Sequence, residues 1–176
     1  MTEPEVSLYV AMNYIRKGEV AGDVTVSIDG AHVSIGGRRH FDVVGFLHDN
    51  GYERCDGAEG WQGQYQHALY SSKIEITSKS GIGDVTFTTK NGQAYFVESK
   101  KFKRGNSPEH PAMHEAIGQL MTRTFKKEHI PVVAVPCNEK SMDLAEKWSV
   151  MDTIRTAGIR FWLVCNDGQV KEIGGV

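Results

Sequence analysis

Asp84, Glu98 and Lys100 are the residues of this chain whose types and spacing could do chemistry. Two carboxylates can hold a hard divalent cation through oxygen, and an amine beside them can orient or deprotonate a water and steady developing negative charge. Strand periodicity gives the spacing its meaning. Gly81-Ile-Gly-Asp-Val-Thr-Phe87 and Tyr95-Phe-Val-Glu-Ser-Lys100 read with a period of two as neighbouring strands joined through Asn91-Gly92, a strong hairpin signal. On the second strand Phe96, Glu98 and Lys100 share one face, which sets carboxylate and amine roughly 7 Å apart along the backbone. Tyr95, Val97 and Ser99 take the other face. Asp84 lies on the first strand, with Val85 and Phe87 facing away from it. Charges at the ends of otherwise apolar strands are costly unless paired or bound to metal, so packing does not account for them.

This arrangement resembles the active site of the PD-(D/E)XK nuclease superfamily: an acid on one strand, here Asp84, and Glu/Asp-x-Lys on the next, here Glu98-Ser99-Lys100. Gly83 stands where the family's nominal pattern has Pro. The resemblance implies a restriction-endonuclease-like α/β fold and a Mg2+ or Mn2+ ion held by Asp84, Glu98 and the carbonyl of Ser99. Lys100 would act on the attacking water, with its pKa lowered by desolvation or with its charge held beside the carboxylates. The resemblance further implies phosphodiester hydrolysis leaving a 5′-phosphate and a 3′-hydroxyl. Ala116-Ile-Gly-Gln-Leu-Met-Thr-Arg123 looks like the glutamine-bearing helix of RecB-like and mismatch-endonuclease-like members, making Gln119 a further catalytic candidate. The tyrosine expected four residues later is replaced by Arg123.

The elements that must position these residues follow from pattern. Leu8, Met12 and Ile15 recur at helical spacing within residues 6 to 17. Val24 to Ile28 and His32 to Ile35 alternate around Asp29-Gly30 and read as a hairpin. A short helix over Phe41 to Leu47, with Phe41, Val44 and Leu47 on one side, closes at Asn50-Gly51. Residues 51 to 63 are polar and glycine-rich, hence a loop or a ragged edge; Trp61 within it covers a core edge or stacks on a base. Gln66 to Thr77 reads as one long strand. After the polar loop that follows Lys100, Met113, Ile117, Leu120, Met121 and Thr124 mark an amphipathic helix. Pro131 to Pro136 is a buried strand, followed by a helix over Met142 to Thr156 with Leu144, Trp148 and Met151 inward. Asn138 or Ser141 caps that helix, and strands at Phe161 to Cys165 and Val170 to Ile173 finish the chain.

From residue 41 the order is α-β-β-β-α-β-α-β. It places an N-terminal α-β-β extension over 1–40, suited to specificity or dimerisation, before a nuclease core over 41–176. The expected class is α/β with a mixed sheet and an αβββαβ core.

At 176 residues the chain can bury a sizeable core, and no apolar run approaches the roughly 18 residues of a membrane helix. Its first residues, Met-Thr-Glu-Pro-Glu, have no signal-peptide character, which gives the expectation of a cytoplasmic protein without membrane partners. Cys55, Cys137 and Cys165 lack metal or redox spacing and read as buried free thiols. Net charge is −2, yet between Gly81 and Lys127 eight basic residues face four acidic ones, against twelve and eighteen elsewhere. Basic charge therefore gathers about the suspected site, and Lys101, Lys103, Arg104, His114 and Arg123 become candidates for nucleic-acid contact. His110 and His114 are one helical turn apart, but the acid follows the second histidine, unlike the His-Glu-x-x-His of metalloproteases. Gly81-Ile-Gly83 precedes a strand rather than a helix, so it is not a phosphate cradle.

The expected activity is a metal-dependent nuclease, with DNA favoured over RNA because nothing recognisably reads a 2′-hydroxyl. The competing readings are an RNA-cleaving nuclease of the same fold and a non-catalytic domain that binds nucleic acid or protein.

Overall fold

Thr2 sets the first helix by capping it. Its hydroxyl accepts the backbone N–H of Glu5, and the Glu5 carboxylate accepts the N–H of Thr2, a reciprocal box that fixes the start of α1 (Glu3–Arg16). The computed structural model describes residues 1–103, 105, 107–123, 126 and 128–174. After α1 come β1 (Val24–Ser27), α2 (Gly30–Val33), β2 (Ser34–Ile35), β3 (Arg38–Arg39), α3 (Val43–Asp49), β4 (Tyr52–Arg54), β5 (Gly63–His67) and β6 (Lys73–Thr77). The rest is β7 (Val85–Thr88), β8 (Ala94–Ser99), α4 (Glu109–Thr122), β9 (His129–Pro136), α5 (Glu139–Ser149), α6 (Asp152–Thr156), β10 (Arg160–Val164) and β11 (Val170–Ile173).

Nine strands form one mixed sheet in the order β11-β10-β9-β8-β7-β1-β6-β5-β4, and β2 pairs with β3 apart from it. β8 runs antiparallel to β7 and parallel to β9, so the strand bearing Glu98 is paired on both edges. Alternation then sorts the side chains. Tyr95 and Val97 enter the cluster shared with α1, together with Val132, Ala134, Trp162 and Val164. Phe96 enters the opposite cluster with Val133, Val135, Phe161 and Leu163, beneath Met113, Ala116 and Leu120 of α4 and Trp148 of α5. Strands covered on both faces need apolar side chains in both registers, which is why β9 reads as an unbroken apolar run. Among the described residues no helix is long and apolar enough to cross a membrane.

Several expected elements differ. Asp29-Gly30 does not turn a hairpin: the Asp29 carboxylate accepts the N–H of Ala31 and starts α2, while β1 pairs with β6 in parallel and β7 in antiparallel register. β1 therefore lies near the middle of the sheet and α1 packs over it, so residues 1–40 share the core rather than precede it. In α3, capped by Asp42, the inward pair is Val43 and Leu47, and Val44 is exposed. Of the two readings of 51–63 the edge holds, since it contains β4, the last strand of the sheet. Gln66 to Thr77 divides into β5 and β6, which pair antiparallel across a turn where Leu69 is exposed. Asn138 caps α5 with Ser141 answering from the third position, and the helix ends at Val150, leaving Met151 exposed at the start of α6. Cys55 is exposed, and Cys137 and Cys165 are half-buried rather than buried. Trp61 packs on the core. Thr124 lies outside the described residues.

Candidate active site

Asp84 is held by its backbone from both sides. Its N–H donates to the carbonyl of Val97 on β8 (2.9 Å), and its carbonyl accepts the N–H of Ser27 at the end of β1 (2.8 Å). Gly81 and Gly83 bring the chain to this point, each with φ +82°. A Cβ at Gly83 would stand 3.1 Å from the Phe96 ring, so a side chain there is strained by conformation and crowded by the ring. The Asp84 carboxylate then prolongs the β7–β8 ladder: Oδ2 accepts the Ser99 N–H at 2.7 Å.

Glu98 is 1% exposed and both its oxygens face cations. Lys100 Nζ donates to Oε1 at 3.1 Å, and Arg123 Nη1 lies 2.8 Å from Oε2 as an ion pair without hydrogen-bond geometry. Lys100 is shared, because Glu3 at the start of α1 brings Oε1 to 3.5 Å from the same ammonium. By residue type and spacing Glu3 reads only as part of an acidic terminus. Only the helix that carries it over the sheet, across more than ninety residues of chain, brings it here, and no spacing rule spans that separation.

The electrostatics follow from burying like charges together. Burial and the neighbouring Glu98 charge push the Asp84 carboxyl up to about 7, against the Ser99 N–H and the Lys100 charge. Burial likewise pushes Glu98 up, with Lys100 and Arg123 opposing it. Burial draws the Lys100 ammonium down, but Glu98, Glu3 and Asp84 outweigh it and hold its pKa above the ordinary value. That direction is the one expected of a lysine held charged beside carboxylates.

These groups line a cleft of about 490 Å³ with Gln119, whose buried Oε1 accepts no hydrogen bond among the described residues. Lys101 and Lys103 reach its rim, where Lys103 Nζ stands 3.4 Å from Glu115. Asp29 and His32 also border it, with His32 Nε2 3.6 Å from Glu3. The cleft thus carries both signs of charge, since Glu3 and Asp29 come from outside the basic stretch. His114 is not part of it: the ring stacks on Trp148 of α5, centroids 4.8 Å apart and planes within 10°. Ser99 is fully buried and contributes its backbone N–H to Asp84. Arg104 lies outside the described residues.

No protein-family model, curated protein or solved structure matches this chain.

Among the described residues no group of three or more His, Cys, Asp and Glu is gathered as a metal-ligand cluster. What the cleft offers is smaller: of its five carboxylates, Asp84 and Glu98 come from adjacent strands, beside the amide oxygen of Gln119, which accepts no hydrogen bond among the described residues. All are hard oxygen donors. Magnesium keeps several waters and takes one or two protein carboxylates with substrate oxygens, so this set fits it better than zinc or calcium.

Proposed function

We propose that this protein is a divalent-metal-dependent nuclease of the PD-(D/E)XK superfamily that acts on DNA in the cytoplasm. The observation that carries the reading is the meeting of Asp84, Glu98 and Lys100 in one cleft with Gln119 of the following helix. The order of elements also supports it. α1, β1, β7, β8, α4 and β9 form a helix, three successively antiparallel strands, a helix and a parallel strand, the αβββαβ order of that fold. In this assignment the first helix and strand are α1 and β1, and residues 28–83 are an insertion that widens the sheet through β6, β5 and β4.

Asp84 and Glu98 would hold Mg2+ or Mn2+, and the bound ion would neutralise charge developing on the phosphate and acidify the attacking water. Lys100, charged, orients that water and stabilises the phosphorane-like transition state; Gln119 Oε1 accepts a hydrogen bond from it. Lys101 and Lys103 meet the backbone phosphates at the rim. A non-catalytic binding domain is favoured by one observation, the closure of both Glu98 oxygens by Lys100 and Arg123.

Metal-dependent cleavage of single-stranded, duplex and branched DNA and RNA separates the readings. Glu98→Gln and Lys100→Ala are each expected to lower the rate by about 10³-fold or more while leaving the fold intact. A folded variant cutting at the wild-type rate would remove the assignment, and preference for RNA would change the substrate.

A further inference from the structure

Arg123 is placed where a simple helix tether need not be. It is the last residue of the α4 turn: its N–H donates to the Gln119 carbonyl at 3.0 Å, and its ψ of 144° turns the chain out of the helix. The side chain is 30% exposed and its guanidinium reaches from the cleft to Glu98 Oε2 at 2.8 Å. Lys100 holds the other oxygen but divides its charge between Glu98 and Glu3. Among the described residues Glu98 is the one carboxylate paired with Arg123, whose charge therefore faces a carboxylate that is almost sealed from water.

We propose that Arg123 is the counter-ion of the metal-free site: it occupies the Glu98 oxygen that a divalent cation requires and, once displaced, pairs with a phosphodiester of the bound nucleic acid. The proposal rests on the nuclease reading above. A guanidinium keeps its proton at any pH the protein meets, so it cannot make room by neutralising itself and has to move. The other acids bordering the cleft are engaged, Glu115 with Lys103, Glu3 with Lys100 and Asp29 with the Ala31 N–H, so a freed Arg123 stays in the cleft with planar donors suited to phosphate oxygens. Arg123 thereby keeps the site closed to stray cations until nucleic acid offers it a second anion. Metal and substrate then bind with positive coupling.

Calorimetric titration of Mn2+ into wild type, Arg123→Gln and Glu98→Gln, without nucleic acid, tests the first half. Arg123→Gln is expected to bind Mn2+ about 5- to 10-fold more tightly than wild type, a typical coupling size, and Glu98→Gln to lose binding. Duplex DNA binding in Ca2+, followed against salt, tests the second half. Arg123→Gln is expected to bind more weakly, with a log–log salt slope smaller by about 1. Equal or weaker Mn2+ binding by Arg123→Gln, or an unchanged salt slope, overturns the proposal and leaves the nuclease reading standing. Mn2+ binding that is absent from wild type and from Arg123→Gln overturns both. Should Arg123→Gln fail to fold, Arg123→Lys carries the test: its shorter point charge holds Oε2 less well, and Mn2+ binding tightens at least about twofold.

Discussion

The two ends of the α1–β8 sandwich are built on opposite terms. Helix and strand run antiparallel, and the eleven residues from Glu3 to Tyr14 cover about 16 Å, as do the five from Tyr95 to Lys100, because a strand rises about twice as fast as a helix. So one pair of elements touches twice. At one end Tyr14 meets Tyr95; at the other Glu3 meets Lys100. The first contact belongs to a ring cluster in which Trp162 stacks on Tyr14 at 4.7 Å and packs on Tyr95 at 4.9 Å. Its phenols are satisfied: Tyr14 donates to Glu172, and Tyr95 donates to Gln93 and accepts from Arg160. The second contact sets Glu3 and Glu98 about one ammonium, and burial beside Glu98 pushes the neighbouring Asp84 far from its ordinary pKa. Stability is therefore expected to be concentrated at the aromatic end, with the charged end drawing on it, as where a site is held in an arrangement its own interactions do not favour.

Trp162→Ala breaks that arrangement most severely. The indole is fully buried and packs on Tyr14, Phe87 and Tyr95, so truncation is expected to cost about 3–5 kcal/mol in urea unfolding. Its Nε1 makes no hydrogen bond among the described residues, which leaves packing as its contribution. A cost below about 1 kcal/mol would mean that the aromatic end does not carry the stability assigned to it.

The two ends were also unequally legible in the sequence. At the charged end, period two along Tyr95 to Lys100 sets the faces correctly, and Phe96 and Val97 do enter opposite clusters. The Asn91-Gly92 turn also holds: Thr89 donates to the Gln93 carbonyl and Gly92 takes φ +84°. Asp29-Gly30 offered the same kind of dipeptide and made a helix cap, because an aspartate preceding a free N–H serves either purpose and only β6, fifty residues later, decides where β1 pairs. Local pattern therefore shows Asp84, Glu98 and Lys100. It does not show Glu3 or the Glu98–Arg123 pair, whose partners meet only when helices settle on the sheet. His114 illustrates the converse: helical spacing puts it one turn from His110, but not which neighbour it faces, and it faces Trp148.

Asp84→Asn sharpens the comparison from the charged end. Asparagine keeps an acceptor for the Ser99 N–H and removes the charge. The folded carboxyl titrates near 7, above its ordinary 3.8, so the folded state binds the proton more tightly than the unfolded chain. That contribution is complete below about pH 4 and is lost as pH rises through 7; Glu98, also raised, acts in the same sense. In chelator at pH 8 the Asn variant is expected to be more stable by about 2 kcal/mol, roughly 4–8 °C in Tm, and the gain should shrink towards pH 5. A gain equal at both pH values would show that charge is not its source.

Tyr14→Phe makes the smallest change, at the other end of the same helix. It removes a hydroxyl whose pKa burial and the Glu172 bond hold well above the ordinary value, and which donates to Glu172 Oε1 at 2.7 Å. The ring cluster stays intact. Glu172 is 36% exposed and keeps Lys17 at 3.3 Å, so the carboxylate is not stranded and the cost should be about 1 kcal/mol, with Mn2+ binding unchanged. Losing a polar group therefore costs stability where Tyr14 sits and gains it where Asp84 sits, although α1 packs over both. A Tyr14→Phe protein as stable as wild type would make the hydroxyl a passive tip and narrow the difference between the two ends to packing alone.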